Sequence, residues 1–449
     1  MREDFLHFLW RTRRFDMSNL ETTTGQRLEI LDFGEYNRLD AGADFQNVKL
    51  KIDDLTWFGN VEMHLKSSDW LLHKHQHDAV YRNVILHVVY EEDVPIFHQN
   101  KENNLSKTKN TVEVRNPDNI GKGALLPCLV LKNRIPEGIF QNYWSLLNNE
   151  HWVPCQHHFF KVSEITKYLW LDRLLIERLE RKTDAISVAY ERNCGDWEET
   201  FWQFIAHYFG SKVNAEPMER LAHGLPHLVL AKHKNQLFQI EALLFGQSGL
   251  LETDFNDDYP KALKKEFLFL QKKHNLVAPV GKTTWKFSRM RPQSFPTIRL
   301  AQLASLVHKS SHLFSKIITP MPISDLKTLF EVEVSEYWRS HFMFDTPSVF
   351  SEKSFGKEAI DILLINVVAP FLFFYGKMRK EEAVKDRALE LLDNLKPEKN
   401  VVTEGWQKLG MGIGNAARSQ SLIQLKTEYC DKKQCVNCAV GVAILKNMT

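Results

Sequence analysis

The sequence predicts an α+β protein: an N-terminal mixed α/β core, then a mainly α-helical region, then a small C-terminal module that contains cysteines. Three observations support this prediction. Strand-like segments lie before residue 135, helical spacing dominates after residue 160, and three of the six cysteines lie between 430 and 438. We therefore predict three domains, which are 1–135, 136–395 and 396–449.

Apolar periodicity predicts the elements of each region in turn. Residues 3–12 have helical spacing, and alternating or β-branched runs predict strands at 27–33, 45–52, 61–66, 83–90 and 111–115. Gly59 and Asn60 predict a turn over 53–60, before the third of these strands. Helices are then predicted at 161–182, 197–209, 216–233, 235–249, 259–274, 296–316, 324–341, 355–378, 380–394 and 416–429.

Composition and charge set limits on the function. The 449 residues are 43% hydrophobic and 25% charged, which is an ordinary globular composition. The net charge of +2 at pH 7 gives no overall basic field, so contact with DNA or RNA would depend on a local patch. No phosphate-binding loop or dinucleotide fingerprint is present, which disfavours an ATPase or a dehydrogenase.

Three features lead us to expect a cytoplasmic protein without membrane contact. Residues 1–14 predict an amphipathic helix that lacks the apolar segment of a secretory signal. Asp361, Asn366 and Pro370 interrupt the apolar stretch 360–375, which predicts a buried core helix. The cysteine pattern is not that of a secreted, disulfide-bonded domain.

The run VEMHLK at 61–66 is the strongest candidate for chemistry. Its strict alternation places Glu62, His64 and Lys66 on one face of a strand. Asp44 closes the run DAGADF on the preceding strand, so two carboxylates can converge on a hard cation. A nearby basic residue would act on the attacking water or on phosphate charge. The alternative is a surface hairpin, since polar residues on one strand face usually meet water.

The order of helix, strand, Asp-bearing strand, Glu-x-basic strand, helix and buried strand resembles the core of the PD-(D/E)XK nuclease superfamily over residues 1–95. The resemblance implies that Asp44 and Glu62 bind Mg²⁺ or Mn²⁺, with Glu3 as an outer contributor. That superfamily normally has lysine where this chain has His64. Either His64 replaces the lysine or Lys66 reaches back, and a ligating imidazole would shift preference towards Mn²⁺ or another transition metal.

Histidines cluster just after this strand. The run HKHQHD could ligate zinc through its His-x-His spacing, or it is a solvated turn. The residues concerned are His73, His75, His77 and Asp78, with His64 and His87 as further candidates. A metallohydrolase of small molecules that uses His73, His75 and His87 is therefore an additional hypothesis.

Cys430, Cys435 and Cys438 form a C-x4-C-x2-C pattern, whose spacing lets three thiolates bind one zinc ion or one iron–sulfur cluster. A fourth ligand must come from upstream, with Cys155 the first choice. The others are Cys128, Cys194, His157 and His158. Some PD-(D/E)XK nucleases close their domain with such a cluster, built from one distant cysteine and a C-terminal triplet. The alternative is three ordinary thiols near the chain end.

The segment 285–306 interleaves Lys286, Arg289, Arg291 and Arg299 with aromatic residues. This pattern suits a nucleic-acid backbone and stacked bases. It suits intramolecular ion pairs and cation–π packing equally well, and we favour that interpretation.

Taken together, the motifs DAGADF, GNVEMHLKSSDW, EALLFGQSG, WKFSRMRP and NAARSQSLIQLK resemble a bacterial family of uncharacterised proteins that share a domain of unknown function. The resemblance runs nearly end to end and implies no activity. From the resemblance of residues 1–95 to the nuclease core, we predict a divergent metal-dependent nuclease or phosphodiesterase that acts on DNA or RNA. The alternative is a non-catalytic nucleic-acid-binding or scaffold protein with a structural metal site.

Overall fold

The computed structural model describes residues 1–37, 41–97, 124–277, 279–310 and 312–447. It divides the chain into two compact units. The sheet unit comprises Met1–Trp170 and Lys426–Thr449, and the helical unit comprises Leu171–Leu425. A mixed sheet in the first unit and helices throughout the second confirm the predicted α+β class.

The helices follow one another along the described chain as α1 (Glu3–Thr12), α2 (Asp69–Leu72), α3 (Glu137–Asn148), α4 (Glu164–Arg192), α5 (Trp197–Phe209), α6 (Ser211–Gly224), α7 (His227–Lys232), α8 (Leu237–Gln247), α9 (Asp258–His274), α10 (Pro296–Lys309), α11 (Leu313–Ile318), α12 (Ile323–Phe330), α13 (Glu336–Arg339), α14 (Lys357–Leu363), α15 (Ala369–Arg379), α16 (Glu382–Asn394), α17 (Val401–Lys408), α18 (Ala416–Gln424) and α19 (Ala439–Asn447). The strands are β1 (Leu28–Asp32), β2 (Glu35–Tyr36), β3 (Phe45–Ile52), β4 (Leu55–Lys66), β5 (Val84–Glu91), β6 (Cys128–Val130), β7 (His341–Met343) and β8 (Thr346–Pro347).

The large sheet has the order β1-β3-β4-β5-β6, and β2 pairs with β3. Strands β1, β3 and β4 form an antiparallel meander, whereas β4, β5 and β6 run parallel. The chain crosses from β4 to β5 through α2 and two short 3₁₀ turns, as a parallel pair requires. In the register of these strands Glu62 lies opposite His87, and His64 lies opposite Val89.

The turn between β3 and β4 is shorter than the sequence predicts. It consists of Asp53, which adopts a φ of 51°, and Asp54, so β4 begins at Leu55. Gly59, which predicts a turn in the sequence, instead lies within β4. A Cβ atom there would lie 2.5 Å from Ile85 Cγ2 and 2.6 Å from the Asn83 carbonyl oxygen. The glycine is therefore needed for close approach of the next strand.

Helix α1 packs against β4 through an apolar face with helical spacing, formed by Phe5, Leu6, Phe8 and Leu9. This packing leaves Glu3 and His7, four residues apart, on another face of the helix. The predicted helix 3–12 and the observed one have the same bounds.

The helical unit contains one helical run, Lys357–Arg379, that is long and apolar enough to cross a membrane by length and composition. Of its most apolar window, 72% is buried inside the structure, as the sequence predicts for a core helix. Among the described residues no second helix passes this test.

The two units do not coincide with the predicted segments 1–135, 136–395 and 396–449. Helix α3 and residues up to Trp170 belong to the sheet unit, because α19 and the cysteine-bearing tail pack against α3 and α1. Such contacts join segments far apart in the chain, which local patterning does not reveal. The strand predicted at 111–115 lies outside the described residues.

Candidate functional site

The loop before β3 fixes the position of Asp44. The Asn37 side-chain amide donates to the carbonyl oxygens of Ala41 and Ala43 at 2.9 and 3.2 Å. The Asn37 backbone N–H donates to the Asp44 carbonyl oxygen at 2.8 Å, and Gly42 adopts a φ of 93° that lets the chain reverse. Residues 41–44 thus form a turn, held by these hydrogen bonds, that presents Asp44 beside β4.

Asp44 and Glu62 are joined by reciprocal hydrogen bonds. The Asp44 backbone N–H donates to Glu62 Oε2 at 3.1 Å, and the Met63 backbone N–H donates to Asp44 Oδ2 at 2.9 Å. Glu62 is only 5% exposed, and Val61 and Met63 on the opposite face are fully buried. The predicted pair of carboxylates is therefore brought together, and β4 is covered on both faces at this point.

Helix α1 contributes His7, which sequence analysis missed. His7 Nε2 lies 3.2 Å from Asp44 Oδ2, although the N–H does not align for a hydrogen bond. Burial alone would lower the pKa of His7, but the Asp44 carboxylate, with Glu3 and Asp4 nearby, outweighs burial and raises it. The only sequence signal was the spacing of His7 four residues after Glu3.

The carboxylates of this site destabilise one another as anions. Burial, then repulsion from Asp44, raises the pKa of Glu62 well above its ordinary value. Burial, then repulsion from Asp44, likewise raises the pKa of Glu3 to about 7. A bound cation would offset such repulsion between closely spaced carboxylates.

Histidines surround the other side of Glu62. His64 Nδ1 lies 2.9 Å from His87 Nε2, and His64 Nε2 lies 3.1 Å from His73 Nδ1. Glu62 Oε1 lies 3.3 Å from His75 Nε2 and 3.7 Å from His64 Nε2. The rings of His64, His73 and His75 each offer a nitrogen, and these three atoms all lie within 4.8 Å of one another.

Burial favours the neutral form of three of these rings, those of His64, His75 and His87. Burial, then repulsion from the neighbouring histidines, lowers the pKa of His64 to about 2. Burial likewise lowers the pKa of His87 to about 3 and lowers that of His75. A neutral imidazole has a free nitrogen lone pair, so the cluster is a set of potential ligands and proton acceptors.

Lys66 takes no part in this cluster. It is exposed at the end of β4, and its backbone N–H donates to Asp69 Oδ2 at 2.9 Å. Among contacts of the described residues, none brings its ammonium group to Asp44 or Glu62. Of the two residues considered for the place of the superfamily's lysine, the structure brings His64 to Glu62.

The four cysteines of the predicted site lie near one another in the sheet unit. Cys155, Cys430, Cys435 and Cys438 are all buried, and each thiol acts electrostatically on at least one other. Burial, then Cys438 and Cys435, raises the pKa of Cys155, and burial with Cys438 raises that of Cys435 to about 12. The four sulfurs are spaced more widely than the imidazole nitrogens, which form the one group among the described residues within 4.8 Å.

Burial raises the pKa of the Cys438 thiol above its ordinary value. Cys438 precedes α19, and the backbone N–H groups of Val440 and Gly441, which act on its sulfur as hydrogen-bond donors, lower its pKa against the effect of burial. Such N–H···S bonds are characteristic of metal-bound thiolates. The alternatives Cys128 and Cys194 lie elsewhere, on β6 and in the helical unit respectively.

The cysteine segment is attached to α1. Arg11 Nη2 donates to the Val436 carbonyl oxygen at 2.9 Å, and Arg2 Nη1 donates to that of Lys432 at 3.1 Å. The helix that carries Glu3 and His7 is therefore tied to the cysteine-bearing tail.

The basic segment of the helical unit is partly structural. Trp285 is buried, with its indole N–H donating to the Ser248 carbonyl oxygen at 2.8 Å, and Arg299 lies over the Phe355 ring. Lys286, Arg289 and Arg291 are exposed. Intramolecular packing thus accounts for one arginine of the segment and leaves three cations at the surface.

The fold and this site define an α+β protein in which carboxylates and imidazoles lie together beside the central strand of a mixed sheet. The chain belongs to the DUF2851 family of proteins of unknown function, whose model matches residues 3–401. No curated protein and no solved structure matches it significantly.

Proposed function

We propose that this protein is a metal-dependent nuclease or phosphodiesterase that acts on DNA or RNA, with Asp44 and Glu62 as ligands of Mg²⁺ or Mn²⁺. The observation that carries the proposal is a pair of backbone hydrogen bonds that hold the two carboxylates together: Glu62 accepts from the Asp44 N–H, and Asp44 accepts from the Met63 N–H. Glu3 lies near enough for its pKa to be raised by both.

The topology of the sheet unit supports this proposal. A helix, an antiparallel meander, a helical crossover and a parallel strand follow one another in this order. The PD-(D/E)XK core resembled by residues 1–95 has the same order, with its acidic residues on the second and third strands of the meander. Here Asp44 precedes β3 and Glu62 lies on β4, which are those two strands.

The donor set fits a divalent cation. Carboxylate oxygens are the preferred ligands of Mg²⁺ and Mn²⁺. Burial disfavours the ionised carboxylates of Glu62 and Glu3, and a bound cation would neutralise their charge. A cation bound by Asp44 and Glu62 would stabilise charge on a phosphodiester and activate water for attack.

The chain's own residues have separable roles in this proposal. His7 lies against Asp44 and positions its carboxylate. His64 stands where the superfamily has lysine, and its uncharged ring offers a lone pair where lysine offers an ammonium group. Such a lone pair can accept a proton or bind a transition metal.

We further propose that Cys155, Cys430, Cys435 and Cys438 hold a structural zinc ion or an iron–sulfur cluster. Four buried thiols in mutual electrostatic contact are the usual donor set of both. Binding would draw the sulfurs together and fix the tail against α1. The role is structural, because the tail contacts α1 through Arg11 and Arg2.

A cleavage assay tests the proposed activity. Protein purified without oxygen is incubated with linear duplex DNA, single-stranded DNA or RNA, each with Mg²⁺ or Mn²⁺. We expect cleavage by the wild type and its loss in Glu62→Ala, while the matched variant Glu29→Ala, at an exposed position of β1, retains it. Absence of cleavage on every substrate, with salt-sensitive binding that survives Glu62→Ala, would instead establish the non-catalytic alternative.

A further inference from the structure

Three imidazoles beside Glu62 form a compact group separate from Asp44. Their nitrogens lie within 4.8 Å of one another. Small side-chain movements would bring them within the ~4.2 Å that two ligands of one ion can span at metal–nitrogen lengths of about 2.1 Å. His75 Nε2 is buried and has no hydrogen-bond partner in the structure, and it lies 3.3 Å from Glu62 Oε1. A cation bound between this ring nitrogen and the carboxylate oxygen would give both atoms a partner.

The contact between His64 and His87 sets the tautomer that a ligand needs. When His64 Nδ1–H donates to His87 Nε2, at 2.9 Å, His64 Nε2 is left with its lone pair towards His73 and Glu62. His87 is completely buried on β5 and so holds this orientation. Metal-binding histidines generally have such an outer partner on the second ring nitrogen.

The local fold places one histidine of the group on a strand and the other two in the turn that follows α2. His64 lies on β4 and is 1% exposed. His73 ends α2, and Lys74 then adopts a φ of 63°, which turns the chain so that His75 faces back towards β4. The Tyr81 ring packs on His75 with centroids 3.8 Å apart. Because His73 is exposed, an ion can reach the group from solvent.

We infer that His64, His73 and His75 form a binding site for one divalent transition-metal ion of the Zn²⁺ type, with Glu62 as the adjoining carboxylate. Three imidazoles are the donor set of zinc sites that keep one position open, whereas Mg²⁺ takes oxygen ligands. The ion would be distinct from the one proposed at Asp44 and would share only Glu62 with it. If the proposed nuclease activity holds, the two ions would flank one carboxylate, the arrangement of two-metal hydrolases.

Cobalt binding to the full-length, metal-free chain tests the inference without reference to activity. Co²⁺ reports its ligands through visible absorption, and a band from sulfur to cobalt distinguishes binding at the cysteines from binding at the histidines. The variants are His73→Ala and His75→Ala, with His77→Ala as the matched control, since it removes a neighbouring exposed histidine. Asp44→Asn separates this site from the proposed Mg²⁺ or Mn²⁺ site.

We expect one Co²⁺ per chain that is bound without sulfur ligation, in addition to any ion whose sulfur band marks the cysteines. The wild type, His77→Ala and Asp44→Asn should bind this ion equally. His73→Ala and His75→Ala should bind it more weakly by at least the ~10- to 100-fold that loss of an outer partner costs. Circular dichroism checks that each variant is folded. Equal Co²⁺ affinity in folded His73→Ala, His75→Ala and wild type would overturn the inference, as would a spectrum with sulfur ligation only.

Discussion

Glu3→Gln should stabilise the metal-free protein at pH 8, because Glu3 is held as an unfavourable anion. Burial and then repulsion from Asp44 raise its pKa from 4.5 to about 7 in the folded state. At 1.36 kcal/mol per pKa unit this corresponds to roughly 3 kcal/mol. Since Glu3 is partly exposed, solvent screening reduces the expected effect to about 1–2 kcal/mol.

The sign of this effect depends on pH. A carboxyl whose pKa is raised by folding costs nothing below pH 4.5, where it is protonated in both states. The cost grows as the pH rises from 4.5 to about 7 and is complete above that. Glu3→Gln removes the cost, so wild type and variant should be equally stable at pH 4.5 and differ at pH 8.

Thermal denaturation in the presence of a chelator measures the difference. The matched variant Glu29→Gln, on an exposed position of β1, should leave the melting temperature unchanged at both pH values. Added Mn²⁺ should stabilise the wild type more than Glu3→Gln, since a cation compensates the same repulsion. A Glu3→Gln protein that is less stable than wild type at pH 8 would refute the argument from buried, repelling carboxylates.

Three further outcomes are expected. Glu241→Gln should raise the melting temperature at pH 8 and not at pH 4.5, because burial raises the pKa of Glu241 to about 7. Cys438→Ser should reduce zinc or iron content, measured by elemental analysis, and increase proteolysis of the tail, whereas Cys194→Ser should change neither. Combined Arg289→Glu and Arg291→Glu should weaken single-stranded DNA binding and reduce its salt dependence by about one charge per lost phosphate contact, measured by fluorescence anisotropy.

The apolar pattern of the sequence predicts those elements in which burial follows a regular helix or strand period. Helix α1 has the predicted bounds because Phe5, Leu6, Phe8 and Leu9 repeat at helical spacing and are all buried. Strand β3 also has its predicted bounds, since it alternates between two distinct environments. Strand β4 was predicted too short, because Gly59 signals a turn in sequence but serves close packing against Ile85.

Long-range contacts account for what the sequence did not reveal. His7 is one polar residue on an amphipathic helix, and nothing local indicates that it faces Asp44, which lies far along the chain. The histidine run was recognised as a possible ligand set, but only the fold selects His64, His73 and His75 over His77. Domain boundaries failed to match the structural units for the same reason, since the tail packs back onto α1.

The central claim is that Asp44 and Glu62 form a catalytic cation site, and single-turnover cleavage of end-labelled nucleic acid with Mn²⁺ tests it most directly. The comparison is between Asp44→Asn and Asp54→Asn, the latter an exposed residue of the β3–β4 turn. We predict that wild type and Asp54→Asn cleave at equal rates and that Asp44→Asn is at least ~100-fold slower, the scale of losing one preorganised electrostatic group. Cleavage by Asp44→Asn at the wild-type rate would contradict the account.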